Sequence, residues 1–235
     1  SIALQDNYKK NSQRTILDVP DNIDENIKNK KIDIKFCELL CAKFCHDMAG
    51  SIGAINNGID FVESENAEMK KTAIELVTAS SKQAISTLTF LRQAYGFVPI
   101  DAEVSFYSMK TLIENFLKHT KIKFDAFKHI KTEVINGQVA KLIYNLTMMM
   151  SSFMMYSGDL SMTFNIDDIN IKSTASSHKI DKDVELLLLG KSKPSSLTTR
   201  NIQAVLTRML IEILEYDVHI NYNSPDIFSI TLRLP

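Results

Sequence analysis

Residues 45–58 read CHDMAGSIGAINNG, and whether this run is a helix or a glycine-rich loop decides the fold. The chain holds only seven glycines, and three of them, Gly50, Gly53 and Gly58, fall within it. Its flanks settle the question. From Phe36 onward, Cys41, Cys45, Met48, Ile52, Ile55, Ile59 and Val62 alternate spacings of four and three, the pattern of a helix with an apolar seam. A polar break over residues 63–66 separates this series from a second one, Ile74, Val77, Ser81, Ala84, Leu88, Leu91 and Tyr95, which Gly96 and Pro99 end. Two long helices joined by a short turn form an antiparallel hairpin. A hairpin alone leaves much of its seam uncovered, so dimerisation into a four-helix bundle is expected, with cover from the rest of the chain as the alternative.

With Cys45 and Met48 on the seam, His46 lies beside it, on the flank that a bundle leaves to solvent. Gly50, Gly53 and Asn57 follow on the same stripe. Each interior glycine costs a helix about 1 kcal/mol relative to alanine, a cost that core packing on that face does not require. A low surface around an imidazole lets a second folded protein bring a reactive group to it. Gly58 is a candidate packing residue. Imidazole is an available nucleophile near neutral pH. Asp47 could hold the proton on its other ring nitrogen, and Lys43, one turn earlier, could neutralise an incoming phosphoryl group. An HD dipeptide alone is weak evidence for such chemistry.

The remaining sequence bounds the reading. Among 235 residues, 27 basic and 28 acidic side chains give a formal charge of -1 and 45% are hydrophobic, which argues against a nucleic-acid surface and for a substantial core. The most apolar stretch, residues 142–156, is interrupted by Asn145, Ser151 and Ser152, so no membrane span and no secretion signal are expected, and the protein reads as cytoplasmic. Cys37, Cys41 and Cys45 recur every four residues; they are expected as small thiols packed in the seam, with no metal bound. His119, His129, His178 and His219 form no constellation. Residues 1–32 are polar and lysine-rich and read as a flexible tail, residues 33–98 as the hairpin, and residues 99–235 as an α/β domain of mixed short strands and helices. The fold class is therefore α+β.

The CHD and GAINNG elements within residues 44–58 resemble the ChpT-like histidine phosphotransferases of bacterial cell-cycle phosphorelays, a likeness that extends more weakly over residues 35–235. The resemblance implies paired hairpins in a four-helix bundle, each chain carrying an α/β sandwich similar to a degenerate histidine-kinase ATP-binding domain. It implies His46 as phosphoacceptor, Asp47 as its acidic neighbour and Lys43 at a position that is commonly arginine. Ser51 departs from the pattern, standing where many relatives carry proline, which implies a less bent helix. The implied partners are the receiver domain of a hybrid sensor histidine kinase and response regulators, with Mg²⁺ supplied by the receiver and no ATP or other cofactor bound by this chain.

The C-terminal half supports the absence of ATP. Nucleotide sites of that fold close glycine-rich backbone around phosphates, yet only Gly137, Gly158 and Gly190 follow Gly96, far apart, and no DxGxG occurs. Asn145 sits where a kinase's Mg-binding asparagine would be and reads as a structural remnant. The methionines at 148–150 and 154–155 are expected in the core. Three alternatives stay open: a non-catalytic dimeric adaptor for response regulators, an ATP-dependent kinase, and a monomeric phosphotransfer domain, whose usual lysine is replaced here by Ala49.

Overall fold

In a computed structural model, residues 23–165, 167–192 and 196–234 are described; residues 1–22 of the expected tail lie outside them. Helix α1, Ile23–Val62, runs unbroken through Gly50, Ser51 and Gly53. It begins well before the boundary expected at 33. Apolar periodicity set that expectation, but neither proline nor glycine occurs between residues 21 and 49, and a helix needs no apolar stripe to continue through polar residues. After a short turn, the Asn66 side chain accepts from the backbone N–H groups of Glu68 and Met69 at 3.0 and 3.1 Å and starts α2, Ala67–Tyr95. The two helices form the expected antiparallel hairpin.

The seam divides in two. Met48 is buried and Ile55 and Val62 are half-buried, whereas Cys41, Cys45, Ile52 and Ile59 are exposed. On α2, Ile74, Ile85 and Leu88 are exposed as well. The cysteines are thus not packed in a seam within this chain: all three are free and exposed, because α2 covers the neighbouring flank of α1. At Gly58 the two helices approach closely. A Cβ built on it would stand 2.6 Å from Val77 Cγ2, while the same atom on Gly50 or Gly53 would meet nothing within 4 Å.

Beyond the hairpin, β1, Glu103–Ser105, leads into α3, Phe106–Leu117, followed by β2, Lys121–Lys128, β3, Val134–Asn136, and α4, Gly137–Phe153. Then come β4, Ser157–Phe164, β5, Asp168–Thr174, α5, Lys182–Leu188, α6, Ile202–Ile213, β6, Asp217–Ser224, and β7, Ile227–Arg233. Five strands form one sheet in the order β2-β4-β5-β7-β6, parallel between β2 and β4 and antiparallel elsewhere; β1 and β3 pair separately. The sequence pattern misses β1, which is too short to show alternation. Strand β3 is confined to residues 134–136, and Ile130 lies in exposed loop before it.

Alternation of the sheet places Leu160, Met162, Ile169, Ile171, Phe228, Ile230 and Leu232 in the core. Helices cover that face, and aromatic contacts trace the packing through the layers. Phe90 of α2 stacks on Phe116 of α3 at 4.0 Å and meets Tyr144 of α4 edge-on. Phe106 then contacts Phe164 in β4, and Phe153 contacts Phe228 in β7. Met149, Met150 and Met154 are in this core as expected, but Met155 is half exposed. No helix among the described residues is long and apolar enough to cross a membrane.

A row of polar side chains on α4 joins the two units. Gln138, Lys141 and Asn145, spaced along one face, donate to the carbonyls of Val98, Gly96 and Ala94 at 2.6, 2.9 and 2.8 Å, taking up acceptors that the end of α2 leaves open. Asn145 is fully buried. Its Oδ1 accepts from Gln203 Nε2 on α6 at 2.7 Å, and Gln203 Oε1 accepts from the Tyr95 hydroxyl. Burial, and secondarily the charge of Asp47, raise Tyr95 well above the usual phenol range; burial pushes Tyr144 up to about 12.

Two outcomes follow from this packing. Val77 is β-branched and cannot swing freely within a helix, so Gly58→Ala should destabilise the fold by about 1 kcal/mol, overpacking outweighing helix propensity, whereas Gly50→Ala should stabilise it by about 1 kcal/mol. Urea denaturation at one protein concentration measures both. An unfolded tyrosine ionises near pH 10 while folded Tyr95 stays protonated, so its contribution is present below that pH and lost above it. The urea midpoint should therefore fall between about pH 9 and about pH 11, less steeply in Tyr95→Phe; equal slopes would contradict the assignment.

Candidate functional site

The site is built on one turn of α1. Positions 36, 40, 43 and 47 share a face of that helix; Phe36 and Leu40 pack against the main hydrophobic core, to which α2 and the C-terminal domain both contribute, and Lys43 and Asp47 continue the same face as a polar pair. Lys43 Nζ reaches both Asp47 carboxylate oxygens, at 2.5 and 2.6 Å. The pair is only partly exposed, which separates it from an ordinary surface ion pair of small net value.

His46 projects from the next flank with its side chain 86% exposed. Its Nδ1 stands 3.5 Å from Asp47 Oδ1, beyond good hydrogen-bond length but close enough for a small rotation to close the contact, as catalytic hydrogen bonds often do on complex formation. That orientation turns Nε2 outward. The structure thus brings His46, Asp47 and Lys43 together, with one difference from the sequence reading. Lys43 is bound to Asp47 rather than free beside the imidazole, so it orients the carboxylate and meets an incoming anion only if that pair opens.

Below His46, Gly50 and Asn57 are exposed and Gly53 is half-buried, with open space where the missing Cβ atoms of Gly50 and Gly53 would be. The bare stripe runs on to Phe61, which is half exposed at the lip of a groove of about 450 Å³. Gly58 lines it from α1, and Met69, Thr72, Ala73 and Leu76 of α2 give it most of its opposite wall, with Asn66 and Glu68 at the turn. Sequence reasoning missed it, because Phe61, Met69 and Leu76 lie outside the seam register; the signal available was that large apolar residues occur there off the seam.

Ser51 is buried within the helix, and the backbone passes it without interruption. Asn145 has no role in an open pocket: both ends of its amide are taken by protein groups in the core. Its partner Gln203, and the Tyr95 hydroxyl that donates to Gln203 in turn, were not identified from the sequence, although the polar spacing 138, 141 and 145 on a largely apolar helix was visible there.

Residues 107–226, just over half of the chain, match the sequence model of the histidine phosphotransferase C-terminal domain. Over 58 residues the chain is 40% identical to the protein phosphotransferase ChpT of Brucella abortus (strain 2308), a match spanning 25% of this chain and about a quarter, 27%, of that protein. The fold is similar to that of a solved bacterial phosphotransferase, with a TM-score of 0.74 at 19% identity over 85% of this chain and 96% of the other. The histidine kinase AdeS of Acinetobacter baumannii is a more distant likeness, TM-score 0.41 at 13% identity, over 80% of this chain and 93% of the kinase chain. The match of residues 107–226 to that family model, in a domain that follows a helical hairpin bearing an exposed histidine, makes this chain a member of the histidine phosphotransferase family.

Proposed function

We propose that the protein is a homodimeric relay that takes a phosphoryl group from the aspartate of one receiver domain onto His46 and passes it to the aspartate of another. The observation that carries this reading is an imidazole 86% exposed above two glycines whose side-chain positions open onto empty space. A phosphorylated receiver is itself a folded domain, and its aspartyl phosphate can reach an imidazole only where no long side chains intervene.

In the forward step Nε2 of neutral His46 attacks phosphorus. The N–P bond forms as the bond from phosphorus to the aspartyl oxygen breaks, and the carboxylate leaves as an anion. The proton stays on Nδ1, where the Asp47 carboxylate stabilises the cationic ring, and Lys43 holds that carboxylate in place. Delivery is the reverse step toward a second aspartate. Mg²⁺ on the receiver screens the phosphoryl oxygens, and this chain contributes neither metal nor ATP. The exposed face of Ile52, Ile59, Ile74, Ile85 and Leu88 buries itself against a second hairpin to complete a four-helix bundle, leaving the His46 stripe outside. Partners are the receiver of a hybrid sensor histidine kinase as donor and cytoplasmic response regulators as acceptors, in keeping with the similarity to ChpT.

Transfer from a radiolabelled phosphorylated receiver tests this. Label should move to the wild-type chain and not to His46→Ala, with both proteins dimeric by light scattering. Gly53→Gln should keep the dimer but slow transfer at least about tenfold, since its side chain enters the cleared stripe. Normal labelling of His46→Ala would end the proposal, and full-speed transfer by Gly53→Gln would refute the role of the bare surface.

A further inference from the structure

We propose that Gln203 is a positioning residue for phosphotransfer at His46, locking the C-terminal domain onto the hairpin through Tyr95 and Asn145 so that the helix face bearing Lys43 and Asp47 is held fixed. The inference rests on the relay reading above. Gln203 belongs to a domain that supplies no atom to the site, yet its amide makes the central link in a row that crosses three helices. It donates to Asn145 on α4 at 2.7 Å and accepts from Tyr95 on α2, while Asn145 donates to the Ala94 carbonyl on α2. Gln203 and Asn145 are both buried, where an amide without partners is costly, so each member fixes the orientation of the next.

The row is tied to the helix that bears the site. Leu40 and Phe36, one and two turns before Lys43, rest on the main core, α1 packs against α6, the helix that bears Gln203, and the Asp47 charge adds to the burial that raises the Tyr95 hydroxyl. Lys141 and Gln138 add two further bonds from α4 to the chain leaving α2. A linker whose carbonyls at 94, 96 and 98 are all held by one helix does not act as a hinge. The domain that matches the family, deprived of glycine-rich phosphate boxes, instead serves as a fixed buttress for α1 on the flank next to the docking stripe. Freed from that buttress, α1 would still carry His46 and its clear surface, but the Asp47 carboxylate would no longer be held at one distance from Nδ1.

Such a role affects turnover rather than receiver binding. Steady-state transfer from a phosphorylated receiver should show kcat reduced about tenfold in Tyr95→Phe and in Gln203→Leu, with KM for the receiver within about twofold of wild type. The double variant should be no slower than the worse single one, because both break the same row. Tyr95→Phe removes one oxygen and keeps the ring, and a cooperative melt and an unchanged dimer mass establish that it remains folded. Wild-type kcat in both variants, losses confined to KM, or losses that multiply in the double variant would each overturn the inference while leaving the relay intact. A wild-type chain that accepts nothing from competent receivers would overturn the relay and this inference with it.

Discussion

A nucleophile that must meet a group carried by another folded protein needs a surface from which side chains have been removed. That constraint explains the arrangement around His46. Its ring stands 86% exposed, and the next positions on its stripe are glycines whose side-chain positions open onto empty space. Two interior glycines weaken a helix by roughly 2 kcal/mol, and the turn that contains them draws no packing energy from the bare side. The stability of α1 must therefore come from its other faces.

Three contacts meet that need, each on a different flank. Toward α2, Gly58 admits Val77 at a separation too short for any side chain, so the same residue type serves close packing there and clearance one to two turns earlier. Toward the C-terminal domain, Phe36 and Leu40 join the main core, and the Lys43–Asp47 pair closes the face. Toward solvent, the exposed isoleucines and cysteines form an apolar face that a second hairpin would cover in the proposed dimer. The buried amides of Asn145 and Gln203 then fix how the two units of one chain meet, since a buried polar row is satisfied in only one arrangement.

The hairpin was legible in the sequence because its apolar series is long and regular, and His46, Asp47 and Lys43 emerged together because helical spacing alone sets their neighbours. The start of α1 was not: a polar helix carries no periodic signal, and the first turns of α1 lack both apolar stripe and breaker. The burial expected for the cysteines failed within one chain because a seven-residue seam does not say which of its two sides the partner helix takes. Asn145 could be placed on its helix from its neighbours, but its role came only with Ala94 and Gln203, which lie 51 and 58 positions away in sequence. Pairings at that range leave no local pattern to read.

The central claim is that this chain receives phosphate from a protein and not from a nucleotide. Intact mass after incubation with a phosphorylated receiver domain, and separately with ATP and Mg²⁺, addresses it most directly. The account expects a gain of one phosphoryl group per chain, labile in acid, from the receiver and none from ATP. Labelling by ATP alone, or no gain from receivers that phosphorylate other histidine phosphotransferases, would contradict it.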